Sequence, residues 1–242
     1  MITERPKIKL FIDFDGTIIN KDVGAELFLK YGNSEIISAI IADITNKVIS
    51  GREGWERLFA NTPPVTFGMY DDIISSMELR PGFKEFIGFS ISNSLDVIIL
   101  SDGFTYYIDK ILTREGFKDL KYFANELAEE EGAGLKAVFP YTDEECTLCA
   151  NCKRNHIISN SAEDDITVYI GNGSSDTCPV QYVDIIFARD SLLRFCERNR
   201  ISYYPFDTFF DVERIIKNIL AKKRIKKRRQ AELKRKQVYS LG

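Results

Sequence analysis

Histidine is nearly missing from this chain of 242 residues, and His156 is the only one. A single imidazole cannot supply the His-rich ligand sets of most metal hydrolases or the Ser-His relay of serine hydrolases, so those classes are disfavoured. No run approaches the roughly 18 apolar residues that a membrane-spanning helix needs. The opening ten residues carry Glu4, Pro6 and several cations before a strand-like run, which leaves no room for a signal peptide. Cysteines number five, at positions 146, 149, 152, 178 and 196. An odd count with three in one C-x-x-C-x-x-C cluster is not a disulfide framework, and a reducing cytoplasm is the expected location.

What is present lies close to the soluble globular average, with 44% hydrophobic and 29% charged residues. The length allows one sizeable core and a smaller lobe. The net charge of −3 conceals an asymmetry. Residues 221–242 hold ten Lys or Arg and one acid, Glu232, which leaves 23 cations and 35 acids in residues 1–220. Such a basic tail suits nucleic acid or anionic lipid. More often it is a solvated helix end or lies on an acidic body, so nucleic-acid binding is not the expectation.

Three apolar runs share one ending. Lys7 to Asp13 passes into Phe14-Asp15-Gly16, Leu95 to Leu100 into Ser101-Asp102-Gly103, and Ile166 to Ile170 into Gly171-Asn172-Gly173. Short runs rich in Ile, Val, Leu, Phe and Tyr read as strands buried on both faces of a parallel sheet. Val183 to Ala188 and Ile201 to Phe206 supply a fourth and a fifth strand. Helical patterns between them, at Phe104 to Arg114 and Arg154 to Ser161, predict an α/β fold, an open parallel sheet with helices on both faces. Ligands of such sheets sit beyond the carboxyl ends of the strands. Residues 21–79, with Leu27, Ile36, Ile40, Ile44, Trp55, Leu58 and Phe59 at helical spacing, read as a small helical cap inserted into a core of residues 1–20 and 80–220. Residues 221–242 form the basic tail.

Asp13 and Asp15, two apart at a strand end, point the same way with carboxyl groups roughly 7 Å apart. A hard cation such as Mg²⁺ takes one or two carboxylates plus water and a substrate phosphate. One carboxylate can then attack phosphorus while the other handles protons. Turn-initiating aspartates after a strand are an equally common explanation. Ser101, with the N–H groups of Asp102 and Gly103 at a helix N-terminus, would cradle phosphate, though serine is also an ordinary cap. Lys153 offers a cation for phosphoryl oxygens, as any surface lysine does. Asn172 and Asp176 suit a metal-binding loop or a glycine-rich turn.

Taken together, DFDGT (Asp13 to Thr17), the apolar strand with Ser101, Lys153, and GNGSSD (Gly171 to Asp176) resemble the four motifs of the haloacid dehalogenase superfamily. The helical insertion resembles its phosphoserine phosphatase-like branch. The segments SDGF, FANEL, CKRNHI and SDTCPV look closer to phosphatases of methionine salvage acting on a methylthio-diketopentane phosphate. This resemblance implies a Rossmann-like core and a magnesium-dependent phosphatase acting on a small phosphorylated metabolite. Asp13 would be nucleophile and metal ligand, and Asp15 the general acid and then base, with its carbonyl on the metal. Ser101 and Lys153 would bind phosphoryl, Thr17 would support the first loop, and Asn172 and Asp176 would complete the metal site. Asn172 departs from the usual Asp, which removes one negative charge. Asp22, nine residues after Asp13, falls where an amine-reading acid stands in phosphoserine phosphatases, or caps the first cap helix. No arginine matches the carboxylate clamp of those enzymes, since Arg52 and Arg57 are only nearby. Zinc-like spacing of Cys146, Cys149 and Cys152, with His156 four residues on, raises a structural zinc site; cysteines in a tight loop around Lys153 are the plainer reading. A phosphotransferase or mutase using the same intermediate, and a degenerate binding protein using its basic tail, are the rival functions. Oligomeric state is left open.

Overall fold

The computed structural model describes residues 6–144 and 146–239. Two compact units emerge, one drawing on Met1–Asp13, Leu79–Ile99 and Lys153–Gly242, the other on Phe14–Glu78 and Leu100–Cys152. The fold is α/β with helices on both faces of the sheet.

The first unit contains the parallel strands. β1 (Ile8–Asp13) pairs with β5 (Ile166–Gly171), β5 with β6 (Ile185–Ala188), and β6 with the short β7 (Tyr204–Pro205). The order there is β2-β1-β5-β6-β7, where β2 (Asp96–Phe104) enters with its first residues. All six residues of β5 are buried, and so are all but Lys9 of β1. A strand buried on both faces cannot alternate, which is why these runs are continuously apolar. The pairing of Ile12 with Ile170 puts Asp13 level with Gly171, so two of the polar clusters leave adjacent strands side by side. Helices α5 (Phe83–Ser92) and α9 (Phe209–Leu220) meet through Phe83 and Phe209, with ring centroids 5.0 Å apart.

In the second unit, β2 continues from Leu100, and the order is β4-β3-β2, with β3 (Lys121–Glu130) and β4 (Gly134–Val138) an antiparallel hairpin. The sheet is therefore mixed, not wholly parallel, and these two strands were not anticipated. Four helices precede them: α1 (Val23–Tyr31), α2 (Ser34–Thr45), α3 (Gly51–Ala60) and α4 (Phe67–Ile74). Each starts at a side chain that accepts a free backbone N–H, namely Asp22, Asn33, Ser50 and Thr66. Phe28, Trp55, Phe59, Phe104, Tyr70 and Tyr107 form their aromatic core, at centroid separations from 4.7 to 6.4 Å.

Two differences from expectation concern local geometry. β2 does not stop at Ser101 but runs to Phe104, and α6 (Thr105–Arg114) starts only there. The fifth expected strand, Ile201 to Phe206, shortens to Tyr204–Pro205.

The described part of the basic tail, up to Tyr239, is folded. It forms α10 (Arg229–Tyr239), and Arg235 is buried on the first unit. Its guanidinium donates to Thr167 Oγ1 at 3.0 Å, to the Tyr182 carbonyl at 2.6 Å and to both oxygens of Asp184 at 3.2 and 3.3 Å. No helix among the described residues is long and apolar enough to cross a membrane.

Candidate active site

In the first unit, a lysine is enclosed by carboxylates. Lys153 opens α7 (Lys153–Ser159) and is 2% exposed. Its ammonium donates to Asp13 Oδ1 at 2.5 Å, to Asp176 Oδ1 at 2.8 Å and to Ser175 Oγ at 3.3 Å. Asp13 itself ends β1 and is 5% exposed. A charge this deep needs paired, hydrogen-bonded company, and here one cation faces two anions. Asp176 has all its capacity committed. The Tyr169 hydroxyl donates to Oδ1 at 2.6 Å, and the amides of Asn172 and Gly173 both donate to Oδ2 at 2.9 Å. Burial, reinforced by the Asp176 charge, holds the Tyr169 phenol well above its ordinary pKa, so it stays a donor. The Asn172 backbone is also gripped through its carbonyl, which accepts from Leu192 N at 3.0 Å and Ser191 Oγ at 3.1 Å. Gly171 has no Cβ for a physical reason: one would collide with Asp176 Oδ2 and the Tyr169 ring.

In the second unit, Asp15 is the centre. The backbone makes a tight turn at Asp15 (φ −72°, ψ 124°) and Gly16 (φ 73°, ψ −7°), a type II turn whose third position requires positive φ. The Asp15 carboxylate accepts Val23 N at 3.1 Å on Oδ1, and on Oδ2 both Tyr107 Oη at 2.6 Å and Ser101 Oγ at 3.2 Å. Tyr107 is fully buried, and burial with the nearby Asp15 charge pushes its pKa well up. A Cβ on Gly103 would fall on the Tyr107 hydroxyl and lie 3.0 Å from Asp15 Oδ2. This close approach makes glycine necessary there.

Sequence reasoning selected Asp13, Lys153 and Asp176, and these meet in one hydrogen-bonded group; Asp15 and Ser101 meet in another. Thr17 is buried beside the first loop. The Gly103 amide, however, does not await phosphate. It donates to Ser101 Oγ at 2.9 Å, because β2 is still extended at this point and no helix begins. Asp102 is a structural node: its carboxylate accepts Asn151 N at 2.9 Å, and its carbonyl accepts Trp55 Nε1 at 3.0 Å and Asn125 Nδ2 at 2.7 Å. Asp22 is exposed and caps α1 through Ala25 N at 2.8 Å. Arg52 and Arg57 pair with Glu56 and Glu53 on their own helix surface. Tyr107 and Tyr169 were missed, and the signal that finds them is a tyrosine where a phenylalanine would pack as well.

Among the described residues, no group of three or more His, Cys, Asp or Glu side chains is placed to hold a metal ion. Structural zinc at Cys146, Cys149 and Cys152 is accordingly unsupported. The segment is instead a run of turns, with Cys146 N donating to Asp143 Oδ1 and Cys152 N to the Tyr141 carbonyl, both at 2.8 Å. None of the five cysteines is joined in a disulfide among the described residues. For magnesium the donor chemistry is suitable, since Asp13 and Asn172 bring a carboxylate and an amide oxygen to the ends of the adjacent strands β1 and β5.

Comparison with known proteins follows the same lines. Residues 8–192 match the family described as Putative Phosphatase. A 2-hydroxy-3-keto-5-methylthiopentenyl-1-phosphate phosphatase of Bacillus mycoides (strain KBAB4) is 33% identical over 219 residues, covering 88% of this chain and 97% of that protein. The protein of the same description from Exiguobacterium sibiricum is 29% identical over 208 residues, covering 85% and 94%. In fold, the chain is similar to a phosphoserine phosphatase solved with an analogue of its phospho-aspartyl intermediate. That match has a TM-score of 0.67 at 19% identity and covers 89% of this chain and 99% of that one.

Proposed function

From the premise that this chain belongs to the Putative Phosphatase family and is a phosphatase of the haloacid dehalogenase type, we propose that it hydrolyses a small phosphate monoester by way of an aspartyl-phosphate on Asp13. The observation that carries this reading is the buried Lys153 ammonium held between Asp13 and Asp176 at 2.5 and 2.8 Å. A cation fixed beside a buried carboxylate would offset the charge that develops on a transferring phosphoryl group, which supports this reading.

The chemistry divides into two displacements. A carboxylate oxygen of Asp13 attacks phosphorus in line, and the bond from phosphorus to the ester oxygen breaks. Asp15 in its protonated form gives its proton to the departing alkoxide, which leaves as the alcohol. Water then attacks phosphorus of the acyl phosphate, Asp15 takes the water's proton, and the Asp13 carboxylate leaves to release inorganic phosphate. Lys153 and Ser101 hold the phosphoryl oxygens, and Thr17 steadies the first loop. Tyr169 and the two amides on Asp176 keep Lys153 from wandering. Mg²⁺, held by Asp13, the Asp15 carbonyl and Asn172, would neutralise phosphate charge and so favour attack by an anion. Asp176, with four protein donors already on it, acts on this site by anchoring Lys153 and the Asn172 loop.

The similarity to 2-hydroxy-3-keto-5-methylthiopentenyl-1-phosphate phosphatases makes that phosphate ester the first to assay. The test of mechanism is Asp13→Asn, which removes the nucleophile without changing size. Magnesium-dependent release of phosphate from p-nitrophenyl phosphate is expected to vanish. Retained turnover by a clean preparation overturns the reading.

A further inference from the structure

Tyr70 is one of the largest fully buried side chains, and its hydroxyl meets no hydrogen-bond partner among the described residues. It lies on α4, in the second unit, with its ring nearly parallel to that of Tyr107 (centroids 6.1 Å apart, 21° between planes) and edge-on to Phe104 at 6.4 Å. The two stacked tyrosines have opposite fates. Tyr107 donates to Asp15 Oδ2 at 2.6 Å, whereas the Tyr70 oxygen neither donates to nor accepts from any group among the described residues. An apolar helix position could hold phenylalanine at no cost, whereas an unsatisfied buried hydroxyl is destabilising. Burial, reinforced by the negative field of Asp15 and Asp22, raises the Tyr70 pKa far above that of a free phenol.

We propose that Tyr70 is a specificity-determining residue that hydrogen-bonds a donor, hydroxyl or ammonium, carried by the leaving alcohol of the substrate. The proposal rests on the phosphatase reading above and deepens it. Asp15, which protonates that alcohol in the reading above, is tied to Tyr107, and Tyr70 stacks on Tyr107 within the field of Asp15, which associates the orphan hydroxyl with the general acid rather than with Lys153. A donor suits this place better than an acceptor, because nearby carboxylates favour the positive end of a dipole or a cation. A purely hydrocarbon alcohol would leave the Tyr70 hydroxyl unpaired in the complex as it is without ligand, and sites built on such a bond discriminate strongly against analogues lacking it.

The experiment compares wild type and Tyr70→Phe on n-propyl phosphate, glycerol 1-phosphate, phosphoethanolamine and p-nitrophenyl phosphate. Wild type is expected to prefer at least one donor-bearing ester over n-propyl phosphate in kcat/KM, and the variant to lose about 10-fold or more of that preference. Which ester loses most distinguishes hydroxyl from ammonium. Thermal unfolding of the variant is the second measurement. Removing a hydroxyl that has no hydrogen-bond partner among the described residues should leave Tm unchanged or raise it, and a fall of several degrees would show that the hydroxyl serves the fold and overturn the assignment. An unchanged preference in an active Tyr70→Phe enzyme sinks this inference alone. Absence of phosphate release by wild type from every ester, p-nitrophenyl phosphate included, sinks the proposed function and this inference with it.

Discussion

Gly103 shows how much a single missing methyl group can carry. Its Cα passes so close to Tyr107 that a Cβ would displace the hydroxyl from Asp15. Tyr107 is fully buried with aromatic neighbours at Phe14 and Tyr70, so it cannot simply swing aside. Gly103→Ala is therefore expected to lower kcat on the order of 10²-fold, the cost of misplacing a reacting group by about 1 Å, and to destabilise by about 1–3 kcal/mol through overpacking. Steady-state rates and a urea melt check both; full activity in the variant would mean that the Tyr107–Asp15 bond is dispensable. At this scale the sequence was most legible where the residue type was itself unusual. The two aspartates at a strand end stand out from apolar surroundings, whereas Ser101 and Lys153 gain meaning only from the joint resemblance of the four segments. Tyr107 and Tyr169 do not stand out, because an aromatic residue inside an apolar run reads as core, and only coordinates show which carboxylate its hydroxyl reaches.

Among elements, α10 departs most from what a basic run suggests. Charge alone favours solvent for RQAELKRKQ, yet Arg235 is 4% exposed and Asp184 is 8% exposed. The pair survives burial because every neighbour is polar and aligned: Thr167 donates to Asp184 Oδ2 from N and Oγ1, at 3.1 and 2.9 Å, and Arg228 N donates to Oδ1 at 3.2 Å. Arg235→Met would leave Asp184 without its cation. The expected loss is about 3–5 kcal/mol, read as a lower urea midpoint, whereas a change below about 1 kcal/mol would mean that α10 is only loosely held. The hairpin of β3 and β4 is the other element that the pattern concealed. Its strands carry Glu126, Glu129 and Glu130 and a Gly132-Ala133-Gly134 turn, and half-exposed strands with so many acids show none of the continuous apolar character of β1 and β5. Asp22 was better read, since its role as a cap for α1 was one of two expectations and is what its side chain does.

For the molecule as a whole, the buried hydroxyls make a prediction about alkali. Tyr70, Tyr107 and Tyr169 all have pKa values raised above the ordinary 10, chiefly by burial, and burial pushes the Cys196 thiol from 9.0 up to about 11. Groups raised in the folded state keep protons that the unfolded chain gives up, so folding is favoured fully below the unfolded pKa and progressively less above it. Stability should be level up to about pH 9 and then fall as pH rises past 10, as seen in urea midpoints across that range. In Tyr70→Phe the decline should be shallower, and an identical slope would remove Tyr70 from the account.

Some of this was settled by sequence alone. Short apolar runs that end in small and acidic residues specify buried parallel strands with polar tips, since nothing else buries both faces of a strand and still turns sharply. That logic pointed to Asp13 and Asp15, and only the joint resemblance of the four segments added Ser101, Lys153 and Asp176. Tertiary structure alone decided which hydroxyl meets which carboxylate, that β2 stays extended past Ser101, and that a strongly basic tail buries an arginine. Those outcomes turn on ångström-scale separations between residues distant in the chain, and local propensity carries no information about such distances.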